Sequence, residues 1–160
     1  KFTTFLINVE TDQTFHNINK ISEVAKNSKN EIQGYVFGRV DYSLSKEMDR
    51  DEINSDVVLN DVLKVSSICK DLEMELVVGG GVSIDALGFL KTVRDSFLSR
   101  FETRKIIFSA DALDKNLDKG MLEAVKFELL WLKNKKNYYG SIYSEDDKRI
   151  KRLEKRWKVN

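Results

Sequence analysis

Four short β-rich runs, each followed by a stretch with helical spacing, constrain this chain more than any other feature. Phe2–Val9 reads FTTFLINV and is bounded by polar residues. Phe15, Ile18, Ile21 and Val24 then recur at helical spacing across 14–27. Ile32–Phe37 forms a second run, and 42–54 is polar and loop-like. The third run, Glu75–Val78, follows a helix over 55–72 with a broad apolar face and is stopped by three glycines. Ser83 caps a helix through Leu87, Leu90, Val93 and Phe97. Lys105–Ser109 is the fourth run, and a long helix through Leu122, Val125, Leu129 and Leu132 follows it. Short apolar strands separated by helix-length crossovers predict an α/β fold with a parallel sheet and right-handed connections. After Tyr138-Tyr139-Gly140 the spacing predicts a separate helix over 145–157. Its thin stripe of Ile150, Leu153 and Trp157 needs a surface in the same chain or in a neighbour.

Composition narrows the classes. An apolar fraction of 41% and a net charge of +1 fit a folded globular domain and not a disordered one. No apolar run reaches the ~20 residues of a membrane span. One cysteine, Cys69, leaves no internal disulfide framework and suits a reducing, cytoplasmic setting. Residues 133–160 carry ten Lys/Arg and four Asp/Glu, a local +6. The mixed signs and helical pattern favour a solvated helix over a nucleic-acid arm. The only histidine, His16, sits in a helix away from the strand ends, so no Ser-His-Asp or Cys-His mechanism and no zinc cluster is expected.

In parallel α/β sheets function gathers at the carboxyl ends of the strands. Strand one ends in Val9-Glu10-Thr11-Asp12 and strand two in Gly38-Arg39-Val40-Asp41. Strand three ends in Gly79-Gly80-Gly81 and strand four in Ser109-Ala110-Asp111. Glu10 and Asp41 on adjacent strands repel unless a cation lies between them, which suits Mg²⁺ or Mn²⁺. The alternative is that each carboxylate caps a helix or ties down a loop. The glycines of 79–81 either turn backbone N–H groups toward an anion or make a tight turn in which Cβ atoms would clash.

The segments Ile7-Asn8-Val9-Glu10-Thr11 and Val36-Phe37-Gly38-Arg39-Val40-Asp41-Tyr42-Ser43 resemble the HpcH/HpaI aldolase and citrate lyase β-subunit family. The match lies in an I-x-x-E-T strand end and a later hydrophobic-G-x-x-D-hydrophobic-S strand end. The resemblance implies the C-terminal half of a TIM (β/α)₈ barrel, four βα units over residues 1–137. The basic helix of 138–160 then docks on or exchanges with a neighbouring subunit. It implies a metal-dependent carbon–carbon lyase acting on a keto acid or acyl-CoA thioester through a metal-stabilised enolate. Glu10 and Asp41 would hold Mg²⁺ or Mn²⁺, and Val40 and Asp41 would offer backbone N–H groups to a substrate carboxylate. Gly79, Gly80 and Gly81 would line the substrate site. Arg39 stands where the family often has proline. It is expected at the rim, paired with a substrate anion or with Glu10 or Asp41. The family's arginine from an earlier strand has no counterpart before Glu10. A full barrel takes ~250 residues, so the expected assembly is a homo-oligomer or a union with a missing N-terminal half. The other reading is a non-catalytic half-barrel that serves as a structural or binding module.

Overall fold

The computed structural model describes residues 3–28 and 31–157, with side chains described as far as Lys155. Phe2 and the side chain of Trp157 lie outside the described residues. The fold is α/β. Five strands, β1 (Leu6–Val9), β2 (Gly34–Gly38), β3 (Glu75–Gly79), β4 (Arg100–Glu102) and β5 (Ile107–Ser109), form one sheet in their sequence order. β1 to β4 are parallel, and β5 returns antiparallel to β4. The crossovers carry α1 (Asp12–His16), α2 (Ile18–Asn27), α3 (Arg39–Ser45), α4 (Asp56–Asp71) and α5 (Leu87–Ser96). α6 (Asp118–Trp157) follows the sheet. Two compact units result, Lys1–Leu122 and Glu123–Asn160.

Local chemistry accounts for most boundaries. The Thr11 hydroxyl accepts from Thr14 N at 3.1 Å and starts α1. Ser55 caps α4 in the same way, receiving the Val58 N–H. Asp49 and Glu52 form a reciprocal capping box on a 3₁₀ turn over Arg50–Asn54. Tyr35, Phe37, Leu76, Val78 and Phe101 of the strands are fully buried. They share one core with Val58, Val62, Val65 and Cys69 of α4 and Leu90 and Val93 of α5. β2 and β3 are covered almost along their whole length, which is why both read as apolar runs and not as alternating ones.

Three elements differ from the sequence-based expectations. The fourth parallel strand is Arg100–Glu102, and the expected strand over 105–109 supplies the antiparallel return. The reversal is fixed at Thr103, whose N–H donates to Ile106 O while its hydroxyl accepts from Ile106 N. Ser99 ties the start of β4 to β3 in both directions, Ser99 N to Leu76 O and Leu76 N to Ser99 Oγ. Residues 39–45, expected mostly as loop, are helical. Residues 118–157 form one helix, so Tyr138-Tyr139-Gly140 is no turn. A glycine inside an exposed helix costs only about 1 kcal/mol, which a long helix absorbs.

Candidate functional site

The four parallel strands deliver one row of residues at their carboxyl ends. Val9 pairs with Phe37, Gly38 with Gly79, and Val78 with Phe101. One step further along each strand, the row reads Glu10, Gly38, Gly79, Glu102. The two bare backbones in the middle are approached from both sides. A Cβ on Gly38 would lie 2.7 Å from Cγ and 2.8 Å from Oε1 of Glu10. A Cβ on Gly79 would lie 3.1 Å from Cγ and Oε1 of Glu102. Two carboxylates thus reach over two glycines, and any side chain at either glycine would displace one of them. Burial pushes the Glu102 carboxyl above its ordinary range. Arg100 opposes that shift, and the charge of Glu10 reinforces it.

These four residues line a cleft of about 390 Å³, together with Val36, Val40, Asp41 and the remaining glycines of the 79–81 run. Glu10, Val40, Asp41, Gly79, Gly80 and Gly81 all line this one cleft. Asp41 is exposed on the first turn of α3. Neither Glu10 nor Asp41 makes an ion pair among the described residues. Asp111, at the expected end of the fourth strand, is not on the cleft wall and lies 3.6 Å from Arg94.

Arg39 does not stand at the rim. It is fully buried. Nε donates to Gly79 O at 3.2 Å, one terminal nitrogen to Gly80 O at 2.8 Å and the other to Asn54 Oδ1 at 2.5 Å. The guanidinium also lies 4.8 Å from the ring centre of Phe89. Burial lowers its pKa to about 10, so it stays charged at neutral pH. Arg39 positions the β3 turn against the start of α3 through the carbonyls of Gly79 and Gly80, and is not itself a lining residue of the cleft. That junction also explains the glycines. Gly80 has φ +81°, and a Cβ there would sit 2.7 Å from the backbone nitrogens of Arg39 and Val40. Gly81 has φ +64°, and its Cβ would meet Ile53 Cδ1 at 2.5 Å. Positive φ and close backbone approach are both met by glycine alone, so the tight-turn alternative describes this run.

Three charged cleft residues escaped the sequence reading: Glu102, Arg50 and Arg104. Glu102 was hidden by the misplaced fourth strand. Its signal was the Arg100-Phe101-Glu102 alternation, weaker than the neighbouring Ile106-Ile107-Phe108 run. Arg50 lies on the capped 3₁₀ turn and Arg104 in the β4–β5 reversal. Both add cations to a mouth that otherwise carries three carboxylates.

As donors, Glu10 and Asp41 offer hard oxygens only. No group of three or more His, Cys, Asp or Glu side chains able to hold a metal exists among the described residues. A closed structural site is therefore not built here. A carboxylate pair fits a cation that keeps waters and takes its remaining ligands from substrate, as Mg²⁺ does. No family model, curated protein or solved structure matches the chain.

Proposed function

We propose that this chain forms the C-terminal half of a (β/α)₈-type barrel and contributes a divalent-cation site to a carbon–carbon lyase acting on a keto acid or acyl thioester. The observation that carries this reading is the row Glu10, Gly38, Gly79, Glu102 across four sequentially ordered parallel strands. Sequential order without reversal is the order a barrel uses, and carboxylates at its strand ends are placed for chemistry. Glu10 and Asp41 would hold Mg²⁺ or Mn²⁺. A divalent ion supplies Lewis acidity, polarising a substrate carbonyl and offsetting the negative charge that develops as the carbon–carbon bond breaks.

The chain's own residues do the rest by position. Arg50 and Arg104 face the cleft as cations for a substrate carboxylate. Gly38 and Gly79 carry no Cβ, which lets the side chains of Glu10 and Glu102 lie over their backbones at the cleft. Val36 gives the cleft an apolar floor. Arg39 holds the β3 turn against the start of α3, the helix that carries Asp41.

Calorimetric titration with MnCl₂ tests the cation site. Heat with a stoichiometry of one in the native chain, absent in Glu10→Ala/Asp41→Ala, supports the reading. Identical heats in both proteins, or none in either, would sink it.

One observation favours the second reading, a non-catalytic binding module. β5 lies along the edge of β4 that an eight-stranded ring would use for closure. Retro-aldol turnover assays on 2-keto-acid and acyl-CoA panels separate the two readings. A chain that binds Mn²⁺ and cleaves nothing, alone or mixed with candidate N-terminal halves, belongs to the second.

A further inference from the structure

We propose that α6 binds the α6 of a second copy of this chain, forming an antiparallel coiled coil whose two-fold axis lies level with residue 141, between Tyr139 and Tyr143.

The helix carries a seam with alternating steps of four and three residues. It runs Val125, Leu129, Leu132, Lys136, Tyr139, Tyr143, Asp146, Ile150 and Leu153. That is a heptad repeat held in one phase over about four repeats, the period of a left-handed coiled coil. The seam is open in the single chain. Leu132 is 46% exposed, Leu129 50%, Ile150 and Leu153 53%, and Tyr143 73%. Such a row of large apolar side chains on a helix of 40 residues is not left in water without cause. The seam from Val125 to Leu153 is ~43 Å long at 1.5 Å per residue. Phe127, Leu130 and Trp131 lie on the other side of the helix and take no part.

Charge chooses the occupant and its direction. Two seam positions are charged, Lys136 and Asp146. Parallel, in-register pairing would put Lys136 against Lys136 and Asp146 against Asp146, inside the interface. Antiparallel pairing about Ser141 puts Lys136 of each copy against Asp146 of the other. In the same register Leu129 meets Leu153, Leu132 meets Ile150, and Tyr139 meets Tyr143. A shift of one heptad in either direction sets both charges against apolar partners. One charged pair thus fixes both direction and register.

The flanking positions agree. Along one side Lys126 faces Glu154 and Lys133 faces Asp147, while Gly140 meets itself at the axis. A Cβ on Gly140 would have nothing within 4 Å in the single chain, so the helix backbone is bare where two copies would come closest. Along the other side Ile142 meets itself, and Lys135 faces Arg149, the single like-charged flanking pair among the described side chains. Self-complementarity of this extent under a two-fold points to a second copy, since an unrelated helix has no reason to mirror it.

Sedimentation equilibrium on the full chain, with charge variants, is the test. The native chain is expected to dimerise at micromolar concentration. Lys136→Glu should weaken the dimer about tenfold or more, because it sets two carboxylates together twice in the interface. Lys136→Glu/Asp146→Lys should restore the affinity to within about threefold. Far-UV circular dichroism checks that each variant keeps its helix. A second readout needs no charge change. Leu129→Cys protein mixed with Leu153→Cys protein should form a disulfide-linked dimer under mild oxidation, and neither should do so alone. The native Cys69 stays silent because burial pushes its thiol up to about 12. A monomeric native chain, a Lys136→Glu dimer of native affinity, an unrestored double variant, no cross-link in the mixture, or Leu129→Cys linking to itself would each overturn the proposal.

Discussion

The two compact units treat apolar residues in opposite ways. In Lys1–Leu122 the strands and helices bury Val9, Phe37, Val62, Leu76, Leu90 and Phe101 completely. In Glu123–Asn160 Val125, Leu129, Leu130, Ile150 and Leu153 are each at least half exposed. Hydropathy alone does not separate the two, since Leu and Val supply the apolar face in each. The difference is geometry. A sheet with crossover helices brings four faces onto one core, whereas a lone helix has nothing of its own to cover its stripe. The first unit buries its apolar faces by itself, whereas the apolar stripe of the second is open.

The contrast is sharpest at Arg39, where the largest effect is expected. Arg39→Ala removes a buried cation from the carbonyls of Gly79 and Gly80 and from Asn54, leaving the buried Gly79 carbonyl without this donor and an empty space where the side chain stood. A loss of about 3–5 kcal/mol in the stability of the α/β unit is expected from urea denaturation followed at its aromatic signals. A change below about 1 kcal/mol would mean that the buried guanidinium does not organise the cleft.

Next comes Gly80→Ala. Left-handed backbone and a Cβ 2.7 Å from two backbone nitrogens together should cost about 2–4 kcal/mol. Thermal unfolding at several scan rates reads this out, and a native-like Tm would show that the turn against α3 is looser than described.

A smaller effect concerns pH. Asp61 is buried on α4, accepts from the Tyr42 hydroxyl at 2.8 Å and pairs with Lys46 at 2.9 Å. Burial raises its pKa, but Lys46, Tyr42 and Lys64 outweigh that and leave it below the ordinary carboxylate value. A depressed folded-state value means stability that is present above the unfolded-state pKa near 4 and lost as pH falls through the folded value. Asp61→Asn should therefore destabilise the unit by about 1–3 kcal/mol at neutral pH. The gap from the native chain should close as pH falls through the folded-state value of Asp61. A gap independent of pH would assign the effect to packing instead.

The smallest effect is expected in the second unit. Gly140→Ala should raise the helical content of α6 slightly, worth about 0.5–1 kcal/mol locally, while the unfolding midpoint of the α/β unit stays put. Circular dichroism that instead shows a loss of helix would mean that Gly140 serves a bend.

How much of this was legible in the sequence follows the same division between local and non-local causes. α4 could be read because its cap, Ser55, and its apolar face lie within one stretch of chain. Glu10 and Asp41 could be placed at a common mouth because Glu10 follows β1 directly and Asp41 lies three residues past the end of β2. Glu102 was missed because β4 is fixed by Ser99 bonding to Leu76, a contact across 23 residues, while the richer β sequence sits next door at Ile106–Phe108. α3 was missed because Gly38 caps it with no side chain, and its start is set by Gly80 pressing on the nitrogens of Arg39 and Val40. Arg39 was expected at the rim because its partners, two carbonyls of β3 and its turn, leave no mark in the sequence. Tyr138-Tyr139-Gly140 reads as a turn by composition, yet no proline enforces one.

The proposed place for a divalent ion is the strand-end cleft. Paramagnetic broadening by Mn²⁺ in ¹⁵N-resolved NMR spectra reports that place directly. At substoichiometric Mn²⁺ the amide signals of Gly38, Asp41, Gly79 and Glu102 should vanish first, those around Cys69 should persist, and Glu10→Gln should abolish the selectivity. Broadening centred on other acidic groups, such as Asp111 and Asp114, or spread evenly over the surface, would contradict it.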